Sequence, residues 1–440
     1  MLNADRALIL SNASEIVVFK TETYKSHLRM SDLEVIFIKN GSLIIQNGLI
    51  SDILDYPVTK SNSPISNPSI VNVTGKTIIP GFVDSHTHLS FAGDREDELN
   101  MKLQGKTYLE ILKQGGGIMR TVEATREASL RNLIENGEKN TEIMLKHGTT
   151  TIEAKSGYGL DVKTEIKQLR AFRELNKLDY TTVIPTYLGA HAVPPEFSNK
   201  KQKFIDLIIE DAIPQISKNH LANFIDVFCE RGVFSIDETR EILLAGKKAG
   251  LQPKIHADEI ERTGGAQLAA EVGAISADHL LTTNDDGFRA LAEARVIPVL
   301  LPGTPFSLMK NDYPPARRMI DEFDLPIALA TDLNPNCYCY SMLQIITLAC
   351  FTMRMTPIEA LIASTFNSSA AIGLQDSIGS IEVGKQADLV VINAKNNKFI
   401  PYKFGTASLI CMVIKNGKIV AADTPALISS NKHLELPIPD

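Results

Sequence analysis

His86 and His88 stand one residue apart in the segment Asp84-Ser85-His86-Thr87-His88. Side chains alternate along a strand with a period of two, so both imidazoles point to the same face. Five more segments gather residues able to do chemistry: Glu153-Ala154-Lys155-Ser156-Gly157-Tyr158-Gly159, Gly189-Ala190-His191, His256-Ala257-Asp258-Glu259, Asp278-His279 and Thr331-Asp332. His256 and Asp332 complete a His₃Asp set with the pair, one that suits zinc, and iron almost as well, with a position left open for water. An isolated His-x-His pair is weak evidence for a metal. Satisfied core or loop polar residues would have to produce four coincidences at once. The chemistry such a set serves is hydrolysis, because a metal lowers the pKa of water toward ~7 and makes it a competent nucleophile.

Each of these segments follows a short β-branched run. Eight such runs are read at Ile78–Val83, Thr149–Glu153, Thr182–Tyr187, Phe224–Phe228, Pro253–His256, Ile275–Ala277, Val296–Leu301 and Ile327–Ala330, the sixth and seventh being the weakest signals. Amphipathic stretches such as Lys163–Leu178, Ile236–Ala249 and Gln267–Val272 lie between them. Eight βα units in series predict a closed (β/α)₈ barrel over residues 77–384, with its active site at the C-terminal ends of the strands. A doubly wound open sheet is the structural alternative, and the lack of a self-similar repeat argues against a solenoid. Five of the nine histidines fall at predicted strand ends, and His27, His147, His220 and His433 do not. Residues 1–76 and 385–440 read instead as short strands joined by Asn40-Gly41, Asn47-Gly48 and Asn416-Gly417 turns. Each end is too small to enclose a core, so the two are expected to build one small β-sandwich domain together.

Composition narrows the partners. The chain has 440 residues, 44% hydrophobic and 22% charged, with a formal charge of −7. That is ordinary globular composition, and it gives no electrostatic footprint for nucleic acid or an anionic membrane. The only basic cluster, Lys200, Lys201 and Lys203, reads as a solvated helix face. The five cysteines (229, 337, 339, 350 and 411) are scattered, as expected of reduced thiols in a cytoplasmic protein. Asp5 and Arg6 are not followed by the apolar stretch of a signal peptide, and no run is long enough to span a membrane.

The segment Pro80-Gly81-Phe82-Val83-Asp84-Ser85-His86-Thr87-His88 resembles the opening signature of the amidohydrolase superfamily. Phe91–Glu96, Gly115–Ile118, Lys155–Leu160, His256–Glu259 and Thr331–Pro335 resemble one branch of it, over nearly the whole chain from Gly41 to Lys418. Lys-Ser-Gly-Tyr-Gly-Leu and Asp-x-Asn-Pro are far more specific than His-x-His. The resemblance implies hydrolysis of the ring amide of 4-imidazolone-5-propanoate to N-formimidoyl-L-glutamate, one Zn²⁺ or Fe³⁺ per chain, and a homodimer. His86, His88, His256 and Asp332 would hold the ion, and Glu259 would move the proton from water to the departing ring nitrogen. His279 would hydrogen-bond the carbonyl oxygen, and Asp332 is a second candidate for the base.

On residue type alone, Arg95 is a surface residue, Tyr158 a packed loop aromatic and His191 a turn cap. The resemblance makes all three substrate contacts, with Arg95 gripping the propionate in two-point fashion. Glu259, Asn334, Asn336 and Cys337 join them. Asn336 and Cys337 depart from the bacterial pattern of glycine and a small hydroxyl residue, and look like the animal-type variant. No base is indicated next to Cys337 to activate its thiol. The Gly115–Gly117 run reads as a hinge or lid, and it lacks the ending of a phosphate-binding loop.

Many amidohydrolases bridge two metals through a lysine on the fourth strand. Asn223–Glu230 contains none, and although Cys229 or Glu230 has a suitable ligand type, the resemblance points to one metal. Two rivals remain. An aminohydrolase acting on a neutral purine or pyrimidine would share the ligands but has less use for Arg95. A relative with a decayed site would not retain all four ligands together with Glu259 and His279.

Overall fold

A computed structural model describes residues 7–20, 34–106, 110, 114–405 and 409–422. His27, His433 and the last stretch of the expected C-terminal β segment lie outside these residues. Eight parallel strands form one sheet: Phe82–Thr87, Thr149–Lys155, Thr182–Ala190, Phe224–Cys229, Gln252–Ala257, Ser276–His279, Ile297–Leu300 and Ala328–Leu329. They are paired in sequence order and almost wholly buried, as strands covered on both faces must be. The eighth is only two residues long, yet the chain beyond it completes the ring. Asp332 N–H donates to His86 O at 3.1 Å, and His88 N–H donates to Leu333 O at 2.8 Å. Barrel closure and ligand placement therefore use the same backbone bonds.

Helices begin where local chemistry starts them. Ser235 and Glu238 form a capping box before Ile236–Lys248, and the Asp161 carboxylate accepts from Thr164 N–H at the start of Val162–Leu175.

The first strand differs from the sequence reading. Ile78–Val83 looks continuous, but Thr77–Pro80 pairs with Leu389–Ile392 and Glu15–Lys20 in a six-stranded sheet outside the barrel. The barrel strand starts at Phe82 and runs through His86. The break falls at Gly81, where an added Cβ would lie 2.4 Å from Thr150 Oγ1. Glycine alone lets the backbone pass this close as it crosses between sheets. Strands from both chain ends share the six-stranded sheet, and a four-stranded sheet packs on it through Leu10, Leu43, Ile16, Ile78, Leu389 and Ile414.

Candidate active site

The barrel brings His86, His88, His256, His279 and Asp332 together, all nearly inaccessible to solvent. Asp332 Oδ1 lies 3.6 Å from His86 Nε2 and 3.7 Å from His88 Nε2. Donors about 2.0–2.2 Å from a tetrahedral ion sit roughly 3.3 Å from one another, so this spacing fits a metal. His86 Nε2 is buried without a hydrogen-bond partner among the described residues, as a ligand atom awaiting an ion would be. His256 and His279 group with His86, and the ring centroids of His86 and His256 are 4.5 Å apart. The donor set is thus two overlapping clusters that share His86.

The other nitrogens of two histidines face carboxylates. His86 Nδ1 is 2.7 Å from Asp278 Oδ2, and His256 Nδ1 is 3.0 Å from Asp226 Oδ2. Burial, with the Lys155 charge adding to it, holds His86 well below the usual histidine range, and burial lowers His88 likewise. Both imidazoles are therefore neutral, the form that ligates. Burial works against protonating His256, but the Asp226 carboxylate outweighs it and raises that group. Asp332 Oδ2 accepts from Thr304 Oγ1 at 2.5 Å, which fixes the rotation of the carboxylate.

Glu259 is displayed by a loop tied down on both sides. Asp258 Oδ1 accepts from the N–H groups of Thr263, Gly264 and Gly265 at 2.9–3.1 Å. Glu230 accepts from Ile260 N–H at 2.9 Å and Arg231 N–H at 2.9 Å, so its carboxylate anchors the loop instead of facing the metal cluster. Burial raises the Glu259 carboxyl above its ordinary value, with His256 and Lys310 pulling it back. Its Oε2 is 3.6 Å from His279 Nε2. Burial lowers His279 to about 4, so it stands neutral near pH 7. His279 and Asp332 have φ values of 78° and 53°, in the left-handed region.

Tyr158 and His191 flank His88: the His191 ring stacks on it with centroids 4.9 Å apart, and the Tyr158 ring lies 5.3 Å away. His191 Nδ1 is 3.0 Å from Gly157 O, and burial lowers this histidine to about 3. The glutamate of the following helix holds the Tyr158 loop, as Glu165 accepts from Gly157, Gly159 and Leu160 N–H at 2.8–2.9 Å. At Gly159 a Cβ would meet Glu165 N at 2.7 Å and Thr164 Cβ at 2.8 Å. Gly159→Ala is accordingly expected to cost about 1–3 kcal/mol in thermal unfolding. It should also raise KM, since the displaced backbone carries Tyr158.

Arg95 precedes helix Glu96–Leu103, and its Nε lies 3.1 Å from Glu98 Oε1, which also accepts from Gly117 N–H at 2.7 Å. The Gly115–Gly117 run thus ties the start of helix Ile118–Glu127 to the helix that follows Arg95. Burial pushes the Tyr158 phenol up while the Arg95 charge opposes it. Arg95, Lys102, Lys310 and Asn336 line a cleft of about 900 Å³, together with Asp94 and Glu96.

The Asn334 side chain is engaged in its own loop, donating to Asp332 O and accepting from Asn336 and Cys337 N–H. Asn336 Oδ1 accepts from Lys102 Nζ. Cys337 is buried with Sγ 3.6 Å from Thr331 O, and burial pushes its thiol well up, away from nucleophilic use. Sequence reasoning missed a layer of buried charge beneath the histidines: Glu153, Lys155, Asp226, Lys254 and Asp278. The available signal was the alternation in Glu153-x-Lys155 and Lys254-x-His256, which turns both members of each pair inward.

The amidohydrolase family model matches residues 77–420. An imidazolonepropionase of Geobacillus thermodenitrificans (strain NG80-2) is 49% identical over 94% of this chain and 98% of its own length. One from Parabacteroides distasonis is 42% identical over 94% and 98%. Among solved structures, 5-methylcytosine deaminase from Klebsiella pneumoniae, liganded with 5-fluorocytosine, superposes with TM-score 0.71 at 16% identity, covering 98% of this chain and 99% of that one. E. coli guanine deaminase gives 0.70 at 15%, covering 95% and 99%. At these identities the structural likeness concerns the fold alone.

Proposed function

This chain belongs to the amidohydrolase family, and we propose that it hydrolyses the ring amide of 4-imidazolone-5-propanoate to N-formimidoyl-L-glutamate. The observation that carries the substrate is 42–49% identity over 94% of the chain to proteins named imidazolonepropionase. The cleft agrees with it, because Arg95, Lys102 and Lys310 outnumber Asp94 and Glu96 in its lining and an acidic tail needs a cationic partner.

His86, His88, His256 and Asp332 would hold one zinc or iron ion. When bound, that ion polarises the amide carbonyl and brings the pKa of water toward neutrality. Every other step belongs to side chains. Arg95 receives the propionate, exchanging its contact with Glu98 for one with substrate. Tyr158 and His191 wall the ring against His88. Glu259 takes the proton from the attacking water and returns it to the ring nitrogen as the C–N bond breaks. His279, beside Glu259, donates a hydrogen bond to the carbonyl oxygen as it becomes negative. Asn334 shapes the loop after Asp332, and Asn336 with Lys102 borders the bound tail. The working assembly is proposed to be a cytoplasmic homodimer. Among the described residues no helix is long and apolar enough to cross a membrane.

Product identity tests this reading. Mass analysis should find N-formimidoyl-L-glutamate and no ammonia, whereas ammonia from a purine or pyrimidine would replace the proposal with a deaminase. Arg95→Met should raise KM about 10- to 100-fold, the loss of one charge-assisted contact, with kcat changed much less. A KM within twofold of wild type would remove Arg95 from the tail site.

A further inference from the structure

Lys155 occupies the barrel interior with no exposed surface. Its ammonium lies 2.9 Å from Glu153 Oε1, 2.8 Å from Asp226 Oδ2 and 3.5 Å from Asp278 Oδ2. Two of these carboxylates already have another duty. The same Asp226 Oδ2 is 3.0 Å from His256 Nδ1, and the same Asp278 Oδ2 is 2.7 Å from His86 Nδ1. Asp226 Oδ1 also accepts from His256 N–H at 3.1 Å, and Asp278 Oδ1 from Ser276 Oγ at 2.6 Å. Thus one cation from the second strand holds carboxylates on the fourth and sixth strands, and these meet ligand histidines on the fifth and first. Asp278 does so by a hydrogen bond with His86 Nδ1 and Asp226 by close approach to His256 Nδ1.

From this geometry we infer that Lys155 is a positioning residue for the metal, a single clamp setting the rings of both His86 and His256. The inference rests on the reading of those histidines as ligands. A carboxylate that accepts from one imidazole nitrogen leaves the other as a lone pair aimed at the ion. That acceptor works only while its own rotation is fixed. Asp226 and Asp278 each meet Lys155 through the same Oδ2 that meets the histidine, so removing the ammonium takes one partner from both carboxylates together. Lys254 does not duplicate the arrangement. It donates to Ser276 Oγ at 2.7 Å and stands 3.9 Å from Asp278 Oδ2, with no ion pair to Asp226.

The test measures metal retention on the full chain. Wild type, Lys155→Met, Asp226→Asn and the double variant are loaded with Zn²⁺, and dissociation is followed in excess chelator. Loss of the clamp should speed release about 10- to 100-fold, the range seen when groups behind a metal ligand are removed. The double variant should exceed Asp226→Asn by a smaller factor than Lys155→Met exceeds wild type, because only the arm through Asp278 is then left for Lys155 to act on. Co²⁺-loaded Lys155→Met should show shifted visible bands, a change that simple loss of fold stability does not produce. If Lys155→Met does not fold, Lys155→Gln keeps an N–H donor in the cage and should release metal at an intermediate rate. Wild-type retention and spectrum in the lysine variants would overturn the inference alone. A wild-type chain that takes up no Zn²⁺ or Co²⁺ would overturn the ligand reading beneath it as well.

Discussion

Asp332→Ala is expected to lose both bound metal and turnover, with kcat falling at least about 10⁴-fold. The carboxylate serves several purposes at once. Its Oδ1 faces both His86 and His88 Nε2 at 3.6 and 3.7 Å, and its Oδ2 accepts from Thr304. Removing it leaves three imidazoles and no anionic ligand to offset the ion's charge. Asp332→Asn separates charge from shape, since it keeps the volume and the Thr304 neighbour but donates where the carboxylate accepted. Metal content by atomic emission beside steady-state rates measures both losses. An alanine variant that keeps one ion per chain and turns over within tenfold of wild type would remove Asp332 from the ligand set. The fold itself should survive, because the bond from Asp332 N–H to His86 O involves backbone only.

Glu259→Gln should behave differently, retaining metal while kcat drops about 10²- to 10⁴-fold, or roughly 3–5 kcal/mol of barrier. Glutamine fills the same space on a loop whose anchors, Asp258 and Glu230, are untouched, so KM should move little. The pH profile gives a second readout. Burial raises the Glu259 carboxyl above the usual carboxylate range, and a base works only when ionised. Activity is therefore lost as pH falls through that raised value, and the acid limb lies above an ordinary glutamate's. In Glu259→Gln that limb should disappear from the residual rate. Persistence of an unchanged acid limb would move the base role to Asp332.

What the sequence made legible followed from local rules. His86, His88, His191, His256 and His279 were found because alternation and strand-end position are both local, and histidine is scarce in this chain. The barrel followed from eight βα repeats, and the sheets at the chain ends from their turns. The break at Gly81 was hidden, because an apolar run reads the same whether it serves one sheet or two. The sixth strand extends to His279, two residues past its expected end, because Asp278 and His279 are polar yet buried. The Lys155 clamp was out of reach for another reason. Lys155 and Asp226 are 71 residues apart, and only closing the barrel brings side chains of the second, fourth and sixth strands together in its interior. Glu230 shows the same limit: its type suits a metal ligand, but its geometry makes it an anchor for the Glu259 loop.

The most direct measurement is ring opening of 4-imidazolone-5-propanoate, followed by the loss of its ultraviolet absorbance. The protein would be assayed as isolated, after chelation, and after zinc or iron is restored. The account predicts turnover that chelation abolishes and one ion per chain restores. A protein holding one ion per chain that leaves the substrate's absorbance unchanged would contradict it.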